Sequence, residues 1–291
     1  MGTMSGSQFT TLVSTDEVAR RLDDSNWVIV DCRYDLMDPE AGGRVYLEAH
    51  VPKAQYAHLG EDLSGPPLTD HGRHPLPSAQ AMTALFSRLG VTSGVQVVVY
   101  DQSDGALAAR LWWMLRYMGH DAVAVLDGGF AAWRDAGLPT QSGQANAAPS
   151  VFEGAPRSEW LVTIDSVPNV RCLVDTRLAP RYRGDQEPLD PVAGHIPGAR
   201  NHPYTDNVDE KGRFLPPQRL AARFTETLGA HLPNSAVYYC GSGVTACHLL
   251  LAAAHAGLPA GKLYLGSWSE WCRDPARPVT RGADPGTPLY S

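Results

Sequence analysis

The sequence predicts an α/β protein made of two similar halves, each a small parallel sheet flanked by helices. Three observations carry this. The chain contains its own copy: VIVDCR at 28–33 corresponds to CLVDTR at 172–177, and His50-Val51-Pro52 to His195-Ile196-Pro197. Likewise VVVYD ending at Asp101 corresponds to AVYYC ending at Cys240, and GGFAAW at 128–133 to GSWSEW at 266–271. The landmarks keep one order at a spacing of about 140 residues, the length of a whole domain rather than of a solenoid repeat. Second, strand and helix patterns alternate within each half, which implies parallel strands covered on both faces. Third, 291 residues with 43% hydrophobic and 19% charged side chains suit a folded chain of two domains that needs no covalent staples.

The elements follow in order. Val28–Asp31 is a short apolar, β-branched run and reads as a buried strand. Ser78–Leu89 opens on a capping serine and sets Met82, Leu85, Phe86 and Leu89 at helical spacing. Val95–Tyr100 is the next strand, Leu107–Met118 a helix ended by Gly119, and Ala122–Leu126 another strand. Gly128-Gly129 then opens a short helix around Phe130–Arg134. The second half repeats this with strands at Cys172–Asp175, Ala236–Tyr239 and Lys262–Leu265 and helices at Pro217–Leu228 and Thr245–His255. The stretch 139–156 is rich in small, polar and proline residues and reads as a connection, so we expect domains at 1–143 and 157–291 joined by a linker at 144–156.

The net charge of −7 argues against nucleic acid or an anionic membrane surface as partner, because phosphates need an excess of basic groups. The five cysteines include no C-x-x-C pair, which points to reduced thiols in the cytoplasm rather than a disulfide framework or a zinc site. The apolar run Leu249–Ala254 is far too short to span a bilayer. The N-terminus lacks the basic-then-apolar pattern of a secretory signal, and Met4-Ser5-Gly6 offers an alternative start with Met1–Thr3 as an added leader.

Cys240 ends an apolar strand, precedes Gly241-Ser242-Gly243-Val244-Thr245, and is followed by an apolar helix. Ligands of open α/β sheets bind at the carboxyl ends of strands. A loop with two glycines turns tightly and aims its amides inward, and the helix N-terminus adds partial positive charge. The setting favours a thiolate and also suits a bound anion or persulfide. In the first half the equivalent position is Asp101, so one half carries the thiol and the other supports it.

The pattern D-x-R, G-H-I-P-G, C-G-S-G-V-T and G-S-W-x-E-W resembles the two-domain rhodanese-type sulfurtransferases over about Leu12 to Pro278, and the C-G-S-G-V-T loop resembles their 3-mercaptopyruvate branch. The resemblance implies tandem rhodanese domains and a double displacement: a donor leaves sulfur on Cys240 as a persulfide, and cyanide, a small thiol or thioredoxin removes it. It implies no cofactor and no metal. It makes Ser242, with His74 from the segment Gly72–Pro77 and an aspartate placed at Asp62, a proton-moving set. Arg181 would grip the donor's anionic group, beside the backbone of Gly241, Gly243, Val244 and Thr245. The branch has a second arginine near the position of Leu189, and Arg183 is the substitute this sequence offers.

Residues shared by both halves read as structural: Asp31 with Arg33, Asp175 with Arg177, His50 and His195. Trp112, Trp113, Trp133, Trp268 and Trp271 read as core or interface aromatics, and Cys32, Cys172, Cys247 and Cys272 as bystanders. Thiosulfate as donor and a non-catalytic persulfide carrier are the alternatives. A phosphatase on this fold needs C-x5-R, and the sixth residue after Cys240 is Ala246.

Overall fold

The structure, a computed structural model, describes residues 8–68, 71–148 and 150–290. Met1–Thr3 and Met4, with the expected leader and alternative start, lie outside them, as does Pro149 of the expected linker. The first half runs β1 (Leu12–Val13), α1 (Thr15–Arg20), β2 (Trp27–Asp31), α2 (Ala41–Glu48), β3 (Gln55–Tyr56), α3 (Ala79–Arg88), β4 (Gln96–Tyr100), α4 (Ala108–Tyr117), β5 (Val123–Leu126) and α5 (Gly129–Asp135). Its five strands lie in the order β1-β5-β4-β2-β3, all pairs parallel, with Ile29 opposite Val98 and Val98 opposite Ala124. The second half runs β6 (Leu173–Asp175), α6 (Ala179–Arg183), β7 (Arg200–Asn201), α7 (Pro217–Leu228), β8 (Val237–Tyr239), α8 (Thr245–His255), β9 (Lys262–Leu263) and α9 (Ser267–Trp271). Its four strands are ordered β7-β6-β8-β9, again parallel.

The long expected elements are present within about two residues of their expected ends. Ser78 caps α3 as anticipated, its Oγ accepting the Ala81 amide at 3.1 Å. β9 stops at Leu263 instead of Leu265, because the chain turns there to bring Gly266 and Ser267 (φ 57°) beside Cys240. The sequence reading omitted β1, β3, β7, α1, α2, α6 and α9, which are too short to show a period.

Each sheet has a private core on its outer face and shares a central one. Val98, Tyr100, Phe130 and Trp133 fill the first outer core, and Leu173, Tyr239, Trp268 and Trp271 the second. The central core runs continuously from Val97, Trp112 and Trp113 to Leu249 and Leu251, and α4 packs directly on α8. The near-absence of polar residues along α8 follows from this: it is buried on all sides. The connecting stretch is also laid down rather than free. Phe152 is buried edge-on to Phe86 at 5.0 Å, and its amide donates to Ser87 Oγ at 3.0 Å.

The shared residues hold equivalent positions in the two halves. Arg33 Nη2 pairs with Asp31 at 2.7 Å and Arg177 Nη2 with Asp175 at 2.6 Å. Each guanidinium also lies over an aromatic ring, Phe130 or Trp268. His50 and His195 bond the carbonyls of Tyr46 and Tyr182 through Nδ1. These buried pairs tie each strand end to the crossover that follows it.

Candidate active site

β8 delivers Cys240 to the carboxyl edge of the second sheet. Its amide donates to Ser267 Oγ at 3.1 Å, and its carbonyl accepts the Trp268 amide at 3.0 Å. The Gly243 amide donates to Cys240 Sγ at 3.1 Å, so the loop curls around the sulfur. Gly243 has φ +77°, and a Cβ there would run into the Leu265 carbonyl, so the turn requires glycine.

The first half shows what this cradle is built to hold. There the Asp101 carboxylate accepts the amides of Ser103, Gly105, Leu107 and Ala108 at 2.8–3.1 Å. The internal copy fills its own anion site with a carboxylate. In the second half a thiol stands where the first half has the carboxylate, and the amide that reaches it is that of Gly243, three residues on, in a loop that enters its helix sooner.

The loop 72–77 of the first half reaches the same place. His74 Nδ1 and Ser242 Oγ are 2.8 Å apart across the two halves. Burial, with help from the nearby Arg110 and Arg73 charges, pushes the His74 pKa down to about 4, so its ring is neutral near pH 7. Asp62 is not part of this pair. Its carboxylate accepts the His58 amide at 2.8 Å and pairs with Arg88 at the surface. The short turn at 58–63 caps itself with that side chain, whose bonds go to the His58 amide and Arg88 and not to His74.

Arg110 went unnoticed in the sequence, where it is one of two arginines in the largely apolar helix Ala108–Tyr117. It is fully buried, and no carboxylate pairs with it among the described residues. Its guanidinium instead donates to three carbonyls: Gly243 at 3.2 Å, Leu63 at 3.1 Å and His74 at 3.3 Å. One cation thus fixes the cysteine loop and the histidine loop together. An arginine inside a largely apolar helix was the available signal.

Arg181 lies beside the cysteine loop. It is held by Glu187 at 2.6 Å and Asp190 at 3.2 Å, and its Nη1 overhangs Gly241. Arg183 is turned outward onto Asp185 at 2.7 Å. In its place Arg73 comes from the first half, pairs with Asp190 and also overhangs Gly241. Val244 and Thr245 lie at the start of α8. Cys32, Cys172, Cys247 and Cys272 are free, buried thiols whose pKa values burial raises, Cys247 to about 12 and Cys272 to about 11. Among the described residues no cluster of His, Cys, Asp or Glu could hold a metal, and no helix is long and apolar enough to cross a membrane.

Comparison with known proteins agrees with this layout. The Rhodanese-like domain family matches residues 14–136 and again 158–274. A probable 3-mercaptopyruvate sulfurtransferase of Pseudomonas aeruginosa is 45% identical, covering 93% of this chain and 98% of that one. The putative thiosulfate sulfurtransferase SseB of Mycobacterium tuberculosis is 39% identical over 87% of this chain and 90% of its own length. The crystal structure of SseA from Escherichia coli, described as a 3-mercaptopyruvate sulfotransferase, superposes with a TM-score of 0.78 at 32% identity, covering 90% of this chain and all of that one.

Proposed function

The chain belongs to the rhodanese family of sulfurtransferases, and from that premise we propose that it moves sulfur from 3-mercaptopyruvate to a thiol or cyanide acceptor through a persulfide on Cys240. The observation that carries this reading is the cysteine in an amide cradle beside a serine–histidine pair contributed by the other half. The Cys240 thiolate attacks the donor sulfur. The donor's C–S bond breaks, its electron pair leaves on carbon as pyruvate enolate, and the proton from the donor thiol passes through Ser242 and His74 to give pyruvate. Cys240 is left carrying the second sulfur, whose negative charge the amides of Ser242, Gly243 and Val244 stabilise. A thiolate or cyanide then attacks that outer sulfur and releases the Cys240 thiolate. Cyanide, a small thiol or thioredoxin serves as acceptor. A cytoplasmic setting, supported by the five unpaired cysteines, keeps the thiol reduced. We take 1–143 as the supporting domain, 144–156 as the linker and 157–291 as the catalytic domain.

Steady-state rates with two donors test the assignment. We expect kcat/KM for 3-mercaptopyruvate to exceed that for thiosulfate by about tenfold or more, because only the former needs the proton that Ser242 and His74 carry. Equal or better turnover of thiosulfate would favour the alternative that the Mycobacterium relative's name suggests. A pure carrier would show no multiple turnover with either.

The pH dependence carries a second expectation. His74 acts as a base only while neutral, and its pKa is about 4 rather than 6.5. The acid limb of donor-side kcat/KM due to His74 therefore falls near pH 4, and activity persists at pH 5.5. A limb centred near 6.5 that vanishes in His74→Gln would contradict the role of burial.

A further inference from the structure

We propose that Arg73, supplied by the supporting half, is the second arginine of a two-arginine clamp for the donor's carboxylate. This rests on the sulfurtransferase reading above and adds the residue that sets donor binding.

Each of the two guanidiniums keeps a donor unspent. Arg181 uses Nε and Nη2 on Glu187 and Asp190. Arg73 uses Nη1 on Asp190 and its backbone amide on Ser269 Oγ at 3.0 Å. That leaves Arg181 Nη1 and Arg73 Nη2 without a protein acceptor among the described residues. Both ends converge on the same point beside the cysteine loop: a methyl group built on Gly241 would lie 3.0 Å from Arg73 Nη2 and 3.3 Å from Arg181 Nη1. Gly241 is the residue after the reactive cysteine, so an anion held there lies one small molecule's reach from Sγ.

The two guanidiniums are also braced. The Asp190 carboxylate touches both, one oxygen on each, and is only 4% exposed. Glu187, equally buried, holds Arg181 from the other side and Arg177 behind it. The forks therefore stand at fixed positions before any donor arrives, which lowers the ordering cost of binding. Local charge permits it. Arg73, Arg177 and Arg181 balance Asp175, Glu187 and Asp190, and the unpaired cation of Arg110 under the loop leaves the site with a positive excess. A planar carboxylate suits two convergent N–H donors, and a lysine could not supply the same spread. The side chain at 189 is a leucine, and Arg183 faces solvent on Asp185, so neither does this work.

The test uses the two half-reactions of the double displacement. Donor kcat/KM reports the free enzyme, and acceptor kcat/KM reports the persulfide form, so general damage lowers both. In Arg73→Ala we expect donor kcat/KM to fall about 10- to 100-fold, chiefly through KM, with acceptor kcat/KM within about twofold of the native protein. Arg73→Lys, which keeps the charge but not the fork, should fall in between and serves if the alanine protein does not fold. Both 3-mercaptopyruvate and thiosulfate are run as donors, so that a wrong donor assignment shows in the native protein and is separate from the behaviour of Arg73. An unchanged donor constant, or an equal fall on donor and acceptor sides, overturns the clamp.

Discussion

Cys240→Ser should abolish sulfur transfer, with kcat/KM lower by about 10⁴-fold or more, while the protein stays folded. A serine hydroxyl fits the same space and still accepts the Gly243 amide, so stability should change by no more than about 1 kcal/mol. What is lost is nucleophilicity and the capacity to hold a second sulfur, since an alkoxide is inaccessible at neutral pH. Mass spectrometry after incubation with donor gives the direct readout. Native protein should gain the mass of one sulfur on the peptide carrying Cys240, and the serine variant none. The other four thiols are buried with raised pKa values and should stay unmodified in both. A serine variant with full turnover, or sulfur found on Cys247, would sink the site assignment.

Arg110→Met should be the most damaging change away from the sulfur. The case turns on two opposed terms. Removing a buried cation relieves its desolvation, which in isolation is favourable. Yet the carbonyls of Leu63, His74 and Gly243 remain buried and lose their donor, at about 1–3 kcal/mol for each group left unsatisfied. Carbonyls tolerate a missing partner better than amides, so we expect the lower part of that range and a net loss of about 3 kcal/mol. Activity should fall further than stability predicts, by about 10²-fold in donor kcat/KM, because the loops of Ser242 and His74 are no longer pinned to each other. One readout separates position from mere stability. The Arg110 charge is among the causes that lower the His74 pKa, so removing it should move the acid limb upward from near pH 4. Unchanged melting, unchanged donor kinetics and an unmoved acid limb together would show that the arginine is a bystander.

The comparison between halves gives the site its logic. Asp101 and Cys240 stand at the same place in two copies of one fold, each at the mouth of a loop that points amides inward. In one copy the carboxylate satisfies the loop permanently and the half becomes scaffold. In the other the buried thiol takes one amide, that of Gly243. The first half is not passive: its His74, Arg110 and Arg73 contact Ser242, Gly243 and Asp190 of the second.

How much was legible follows the range of the interactions. The strand–loop–helix around Cys240, the internal copy, the helices at Ala79–Arg88 and Thr245–His255, and the equivalent Asp–Arg pairs are local features. Their periodicity, caps and spacing are written in contiguous residues, and the family resemblance rests on the same segments. His74 was reachable because its segment matches a motif. Asp62 was placed by position alone, and a self-capping turn with Arg88 took it elsewhere.

The sequence by itself determined the two-fold α/β architecture and the strand–loop–helix that carries the candidate thiol, because hydrophobic period and glycine placement act over a few residues. Only the tertiary structure decided which charges surround that thiol. His74 meets Ser242 across 168 residues, Arg110 meets Gly243 across 133 and Arg73 meets Asp190 across 117. No local pattern encodes such pairings. They exist because α4 and α8 pack face to face through one shared apolar core, and that packing sets which loops of the first half come to rest over the cysteine of the second.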